Sequence, residues 1–372
     1  YERQCFLWSE EATPLDFDHE LLPNDLNRLE WNFERGCELF NVLREIGIKN
    51  VINGPMIFSP DLGPLMGPIE GIPNYYCACG VMTGFNQSGG VGRELAHWIL
   101  DGEPSIDMFC WDIARFGDYV SKAYTKVRTR YFYENRSARI YPDQHLEAGR
   151  PIRTFPIYDK QKDMGAVFGE SFGWEVPLWF GEPGQIMRDI HSYRRGNWFN
   201  NVGEECRTVR TDAGLFEISS FAKYIVLGTG AHEWLNFMLT NRIPNAPGRT
   251  CLTPMLNIKG RLIGEFSVTC IDVNVFMIIG AGTMQNIHMR HFSNYLPTNG
   301  NVKVQNISST MAGLMLAGPK SRQILEQIIQ DDLGADNFPF LTSKSYPIGN
   351  IPDCKLIRVS FTGEMGWEIY CP

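Results

Sequence analysis

A glycine-rich stretch near residue 85 is the feature of this sequence that most constrains the prediction of its fold. Residues 80–99, GVMTGFNQSGGVGRELAHWI, follow NYYCACG and place five glycines within thirteen residues. A strand, then glycines, then a helix is the arrangement in which backbone N–H groups and a helix N-terminus can face a phosphate. The pattern therefore predicts a buried strand over 74–80 and, after the glycines, a helix with Val91, Leu95, Trp98 and Ile99 on its core face.

The ligand of this stretch stays open on the pattern alone. GVGREL at 90–95 gives only a partial dinucleotide fingerprint, and no acidic residue ends a following strand about twenty residues on, as ribose recognition requires. A tight strand-to-helix turn packed against its neighbours explains the glycines equally well.

Composition excludes several classes of partner. The net charge of −8, with Arg194-Arg195 as the longest positive run, argues against nucleic acid. The longest apolar stretch, 275–281, is far below the roughly 20 residues of a membrane helix, so we expect no membrane association. Ten cysteines without a CxxC pair predict reduced thiols, and His288 and His291 lack a third ligand nearby, so we expect no metal.

The chain's 372 residues predict more than one domain. Apolar spacing predicts a helix over 31–47, and residues 101–200 are expected to form extended connections over a surface. From residue 202 onward, alternating segments and a helix at 231–239 predict antiparallel strands with interleaved helices. The fold class is thus α+β multidomain, divided at 1–110, 111–200 and 201–372.

Several motifs of the first half resemble the C-terminal part of the flavin domain in the D-amino-acid-oxidase-like superfamily. They are NGPMIFSPDLGPLMG at 53–67, NYYCACG at 74–80 and GFNQSGGVGRELAHWILDGEP at 84–104. The resemblance implies FAD, with the 80–85 loop running along the flavin. The implied contacts are Asn53, Gly54, Pro55 and Ser59 at the ring, and Gly80, Val81, Thr83 and Gly84 along it. Asp61 is interpreted as a turn-capping residue.

The second half resembles the folate-binding aminomethyltransferase of the glycine cleavage system, through DAGLFEISSFAKYIVLGTG, PMLNIKGRLIGEFSVTCI, LAGPKSRQILEQI and RVSFTGEMGWEIY. A flavin domain followed by such a folate domain resembles the dimethylglycine and sarcosine dehydrogenases. That family implies oxidative N-demethylation of a methylated glycine by FAD, with transfer of the one-carbon unit to tetrahydrofolate. An electron acceptor such as an electron-transfer flavoprotein and a possible oligomer are implied as well. The expected location is the mitochondrial matrix in a eukaryote and the cytoplasm in a bacterium.

For the folate centre, the resemblance implies Glu265 as the carboxylate that handles protons, although relatives usually carry Asp at or beside this position. Glu368 corresponds to the pterin-binding Glu, and Phe361 stands where relatives often have Tyr. Glu364 is interpreted as structural, and an exposed hairpin Glu is the alternative reading of Glu265.

The chain departs from the family at both ends. The phosphate-binding loop and the histidine that carries flavin lie before the part that matches residue 1, so an internal fragment is expected. The motifs leave dimethylglycine and sarcosine undecided. A further alternative is a non-catalytic homologue resembling the regulatory subunit of pyruvate dehydrogenase phosphatase, in which decay of the carboxylates would be expected.

Overall fold

The computed structural model describes residues 15–136 and 138–372, so Cys5 lies outside the described residues. The chain forms two compact units. The first contains the described residues up to Ala114 together with Val120–Ile140 and Glu147–Arg150, and the second contains Arg115–Tyr119, Tyr141–Leu146 and Pro151–Pro372.

In its described residues, the first unit carries three α-helices and one two-stranded antiparallel sheet. Its elements are α1 (Glu30–Leu39), β1 (Leu65–Pro68), β2 (Tyr76–Cys79), α2 (Gly84–Asp101) and α3 (Lys122–Glu134). Their small core is built from Met66, Val91, Trp98 and Met108. The predicted strand over 74–80 is present as β2, but the prediction that it is buried is wrong, since its residues are half-buried or exposed. The predicted 31–47 helix is wrong in its second half, since α1 ends at Leu39 and a 3₁₀ turn follows at Asn41–Arg44.

Helix α2 corrects the interpretation of the glycine stretch. It begins at Gly84, so four of the five glycines lie inside the helix rather than ahead of it. Val91 and Trp98 are buried as predicted, but Ile99 is 51% exposed. The buried face continues instead through Glu94, whose carboxylate accepts hydrogen bonds from Ser105 N at 2.7 Å and Ser105 Oγ at 2.8 Å. A carboxylate with such partners can be buried in the place of an apolar side chain.

The second unit opens with a helix and a hairpin. They are α4 (Tyr158–Asp163), β3 (Ala166–Ser171) and β4 (Trp174–Phe180). The expectation of extended surface connections is wrong for β3 and β4, which pair antiparallel, and Trp179 is buried there. Trp179 Nε1 donates to Asp189 Oδ1 at 2.7 Å, which satisfies its buried N–H.

Two five-stranded antiparallel sheets follow. Their strands are β5 (Gly214–Glu217), β6 (Ala222–Leu227), β7 (Thr250–Leu256), β8 (Leu262–Asp272), β9 (Val275–Gly280), β10 (Lys303–Asn306), β11 (Ala312–Ala317), β12 (Ser343–Ile348), β13 (Ile351–Ile357) and β14 (Gly366–Cys371). The strand order is β10-β6-β9-β8-β7 in the first sheet and β12-β13-β14-β11-β5 in the second. The helices are α5 (Phe199–Thr211), α6 (Ala231–Met238), α7 (Gln285–Asn294) and α8 (Ser321–Ile329). The predicted antiparallel α+β pattern of this half is confirmed.

The apolar side chains of this half form three layers. One face of the first sheet packs on α6 and α7, through residues such as Tyr224, Leu235 and Phe292. The far face of the second sheet packs with α8 around Leu325 and Trp367. Among the described residues, no helix is both long enough and apolar enough to cross a membrane.

Candidate functional site

Two of the predicted folate residues, Glu265 and Glu368, lie on strand faces that turn toward the layer between the two sheets. Its apolar members are Met277 and Ile279 from the first sheet and Met315, Ile357 and Tyr370 from the second. We call it the inter-sheet layer. Because side chains alternate along a strand, each strand offers every second residue to this layer.

Glu368 of β14 faces the inter-sheet layer. It lies opposite Met315 of β11 and opposite Ile357 of β13, and both of these side chains belong to the layer. Tyr370, two residues on, faces the same way and is fully buried. The structure therefore places the predicted pterin carboxylate at the centre of a sheet, between buried apolar neighbours.

The Tyr370 hydroxyl holds the Glu368 carboxylate. It donates a hydrogen bond to Glu368 Oε2 at 2.9 Å. Burial raises the pKa of Glu368 and outweighs the hydrogen bond from Tyr370, which acts in the opposite direction. A carboxylate whose one oxygen is fixed in this way can accept N–H donors from a ligand on its other oxygen.

Glu265 lies on the face of the first sheet that turns toward the inter-sheet layer. Along β8, Ser267 is paired with Ile279 of the inter-sheet layer, and Glu265 lies two residues before it. Glu265 itself is exposed and stands opposite Pro254 of β7. The two predicted carboxylates thus belong to sheet faces that turn toward one layer, and the exposed-hairpin alternative for Glu265 remains compatible with its exposure.

A buried histidine abuts the strand of Glu265. His288 of α7 is fully buried, and a Cβ on Gly264 would lie 2.6 Å from His288 Nε2. Its Nδ1 shares a hydrogen bond of 3.0 Å with the Tyr224 hydroxyl, and its ring packs 4.7 Å from that of Phe266. Burial lowers the pKa of His288 to about 4, so the ring is neutral at pH 7. Sequence reasoning missed this contact, although the spacing of Gln285, His288 and Phe292 marks one buried helix face.

Sequence reasoning also missed a buried cation. Lys223 of β6 is fully buried, and its Nζ donates to the carbonyl oxygens of Ser219 at 2.7 Å, Phe221 at 2.8 Å and Ser308 at 3.3 Å. Burial lowers its pKa to about 8, opposed by the charge of Glu217. These bonds fasten the 218–221 turn to the segment after β10. This structural role of Lys223 is visible from its contacts in the fold, whereas its spacing in the sequence does not indicate it.

In the first unit, two of the residues predicted to contact flavin lie side by side. Ser59 is buried, and a Cβ on Gly80 would lie 3.5 Å from Ser59 Cβ. Gly80 has φ +64°, a left-handed conformation that favours glycine. The turn interpretation of Asp61 is confirmed, since its Oδ1 accepts from Ser59 Oγ at 3.1 Å and from Gly63 N at 3.0 Å.

The other predicted flavin contacts are held in different ways. Asn53 Nδ2 donates to Pro23 O at 2.6 Å, and Gly54 and Pro55 are exposed. Val81 packs against the small core of the first unit. The Thr83 carbonyl accepts from Asn86 N and Gln87 N at 3.0 Å, and Gly84 is the first residue of α2.

The loop before β14 does not place Phe361 in the inter-sheet layer. Phe361 is 96% exposed. Glu364 accepts a hydrogen bond from Thr362 and lies 3.8 Å from Arg210, which agrees with a structural turn residue. Among residues 15–136 and 138–372, no group of three or more His, Cys, Asp or Glu side chains could hold a metal ion.

Comparison with known proteins gives two domain families. Residues 157–372 match the GCVT N-terminal domain, and residues 101–154 match the FAD dependent oxidoreductase central domain. Mitochondrial dimethylglycine dehydrogenase of Mus musculus is 35% identical over 365 residues, which are 98% of this chain and 42% of that protein. Mitochondrial sarcosine dehydrogenase of Homo sapiens is 27% identical over 414 residues, covering 100% of this chain and 45% of that protein.

A third relative is named as a regulatory subunit rather than as a dehydrogenase. The mitochondrial pyruvate dehydrogenase phosphatase regulatory subunit of Mus musculus is 27% identical over 345 residues, 89% of this chain and 38% of that protein. The chain thus spans less than half the length of each of these three curated relatives.

Proposed function

Because this chain belongs to the GCVT N-terminal domain family, in the branch of the dimethylglycine and sarcosine dehydrogenases, we propose that it serves flavin-linked oxidative N-demethylation of a methylated glycine. In this proposal the one-carbon unit passes to tetrahydrofolate in the second unit. The substrate is dimethylglycine or sarcosine, and the electrons leave through an acceptor such as an electron-transfer flavoprotein. The protein works in the mitochondrial matrix if its source is a eukaryote.

One observation carries the proposal. Glu368 is a largely buried carboxylate whose Oε2 is fixed by the Tyr370 hydroxyl at 2.9 Å. Burying a carboxylate among apolar side chains is costly unless donors satisfy it. A pterin ring presents adjacent N–H donors, so binding it at Glu368 would offset that cost and orient the folate.

Glu265 supplies the second part of the proposed folate centre. It is exposed, on the sheet face that turns toward the layer of Glu368, and its strand is set by the contact between Gly264 and His288. An accessible carboxylate can accept a proton from the folate nitrogen that captures the carbon, and it can stabilise a cationic intermediate. Because His288 is buried and neutral, it positions this strand and carries no charge to the site.

In the first unit, Ser59 and Gly80 fit a role beside a flavin. Bound FAD supplies the hydride acceptor for oxidation of the amine. Gly80 has no side chain and a left-handed backbone, so the main chain at this residue can approach a flavin closely. The hydrogen bond between Ser59 and Asp61 fixes the turn that lies beside Gly80. The proposed contacts along the flavin continue into the start of α2 through Val81, Thr83 and Gly84. The proposed contacts at the flavin ring also include Asn53, Gly54 and Pro55.

The absorbance spectrum of the natural full-length protein tests the flavin part. We expect a flavin band that bleaches when dimethylglycine or sarcosine is added, and the amine with the larger effect identifies the substrate. A protein without a flavin band would refute the enzyme assignment and favour the regulatory-homologue alternative.

A charge-neutral substitution tests the folate part. Glu368→Gln should weaken tetrahydrofolate binding about tenfold or more, because the amide presents an N–H where the pterin needs an acceptor. Flavin reduction by the amine should keep its rate. The matched control is Glu364→Gln, in the exposed turn, which should leave both properties unchanged. Equal loss of folate binding and flavin reduction in Glu368→Gln would contradict two separate centres.

A further inference from the structure

Two cysteines, Cys354 and Cys371, lie opposite each other on adjacent strands of the second sheet. Strands β13 and β14 pair Lys355 with Tyr370 and Leu356 with Ile369, and one step further in the same register brings Cys354 opposite Cys371. The two sulfur atoms lie 2.9 Å apart, and the Cys371 thiol donates a hydrogen bond to Cys354 Sγ. Both are free thiols.

The backbone at this point already has the spacing of a disulfide. Directly opposed residues of antiparallel strands have Cα atoms about 4.5 or 5.5 Å apart, and disulfides span about 4.4 to 6.8 Å. A disulfide bond is about 2.05 Å long, so small side-chain rotations are enough to join the two sulfur atoms. The other strand cysteines among the described residues stand opposite residues of other types. Cys77 lies opposite Gly67, Cys79 opposite Leu65, Cys251 opposite Val268 and Cys270 opposite Phe276.

The environment of the pair fits a bond that is made and broken. Cys354 is fully buried, whereas Cys371 is half-buried, so Cys371 is the less shielded residue of the pair. Both side chains belong to the layer around Trp367 and α8, on the opposite face of the sheet from Glu368. The pair therefore lies outside the proposed folate centre and can be tested independently of it.

We propose that Cys354 and Cys371 form a redox modification site, which hydrogen peroxide converts to an intramolecular disulfide and which a dithiol reduces again. The Cys371 thiolate attacks one peroxide oxygen, the O–O bond breaks, and Cys371 becomes a sulfenic acid while hydroxide takes up a proton to give water. The Cys354 sulfur then attacks the Cys371 sulfur, the S–O bond breaks, and the proton from Cys354 leaves with the hydroxyl as a second water. Two thiols lose two electrons in total, and the peroxide gains them.

Oxidation at this site is slow at neutral pH and faster in base. Burial, with the neighbouring Cys354, raises the pKa of Cys371 to about 12, so little thiolate exists at pH 7. Once closed, the disulfide links β13 to β14 and encloses the loop that carries Phe361 and Glu364. The cross-link restricts the unfolded chain and stabilises the second sheet.

Peptide mapping of the wild-type chain tests the proposal. The folded full chain is treated with hydrogen peroxide at pH 7 and pH 9, its remaining thiols are alkylated, and trypsin is added. Cleavage after Lys344, Lys355 and Arg358 separates residues 345–355, with Cys354, from the peptide that begins at Val359, with Cys371. We expect these two peptides joined by a disulfide, formed faster at pH 9 and released by dithiothreitol.

Two outcomes would overturn the proposal. One is recovery of both peptides in alkylated form while peroxide has oxidised exposed cysteines such as Cys79 and Cys206. The other is a disulfide that joins Cys354 to a different cysteine. As a second measurement, oxidation should raise the thermal unfolding midpoint of the wild type by about 5 °C or more and leave that of Cys371→Ser unchanged. An equal shift in both proteins would also contradict the site.

Discussion

The buried imidazole of His288 makes the stability of the second unit depend on pH in a calculable way. The ring is fully buried between Phe266 and Tyr224, and burial lowers its pKa from 6.5 to about 4. In the unfolded chain the ring returns to its ordinary value and binds a proton more readily. Acid therefore favours the unfolded state, and the stabilising contribution is complete above pH 6.5.

The magnitude follows from the size of the pKa shift. One pKa unit corresponds to about 1.4 kcal/mol, so His288 contributes roughly 3 kcal/mol that is lost as the pH falls from 6.5 through 4. The steepest loss is about 1.4 kcal/mol per pH unit, in the interval between the two pKa values. Nearby His291 also has a lowered pKa, and it adds a separate slope of the same sign.

The assay compares the wild type with His288→Phe, which keeps a buried ring and removes the titrating group. The free energy of unfolding in urea is measured for both proteins from pH 7 to pH 4. We expect the wild type to lose roughly 3 kcal/mol more than His288→Phe across this range, because His291 and all other groups titrate in both. Parallel curves would refute the assignment of the acid sensitivity to His288.

Three further substitutions follow from close contacts in the structure. Gly264→Ala places a Cβ 2.6 Å from His288 Nε2, so we expect a loss of about 1 to 3 kcal/mol in urea unfolding, and a neutral effect would show that α7 can shift freely. Lys223→Met leaves three carbonyl oxygens and Glu217 without their cation and should cost about 3 kcal/mol or more by the same measurement; a loss below 1 kcal/mol would contradict its structural role. Gly90→Ala adds a Cβ inside α2 that meets no atom of the described residues within 4 Å. It should raise the thermal unfolding midpoint through a gain of roughly 0.5 to 1 kcal/mol, whereas a lower midpoint would show that the position is packed.

Several strands of the second half could be predicted from the sequence because they are apolar runs of strand length. Segments such as 222–227 and 275–280 present one face to the helices and one to the inter-sheet layer, and both faces are apolar apart from Lys223. The helix at Ala231–Met238 was equally predictable from its spacing. In these segments local pattern and tertiary packing agree.

The glycine stretch was predicted wrongly for a quantitative reason. Each glycine costs a helix about 1 kcal/mol relative to alanine, and this cost suggested that the helix begins after the last of them. In the structure the buried side chains Val91, Glu94 and Trp98 all lie in the later part of α2, and residues 84–90, none of them buried, extend the same helix back to Gly84.

Within the candidate site, the sequence could identify Glu368 through its motif but not what holds it. The partner Tyr370 is two residues away, a spacing that means a shared face only once the segment is known to be a strand. The contacts of Lys223 with Ser308 and of His288 with Gly264 join residues far apart in the chain, so no local pattern could reveal them. Phe361 was assigned from motif position alone, and its exposure shows how little a loop position says about direction.

The alternation along β14 has a consequence for how this protein can change over evolution. Trp367 and Glu368 are neighbours that face opposite layers, so a slip of one residue would put a carboxylate among the side chains packed on α8 and an indole into the proposed folate centre. Insertions and deletions should therefore be confined to the exposed loop before the strand, whose length can vary while the pairing of β14 with β11 and β13 stays fixed. We therefore expect the length of that loop to vary between related proteins, whereas the alternation of inward and outward side chains along β14 should stay the same.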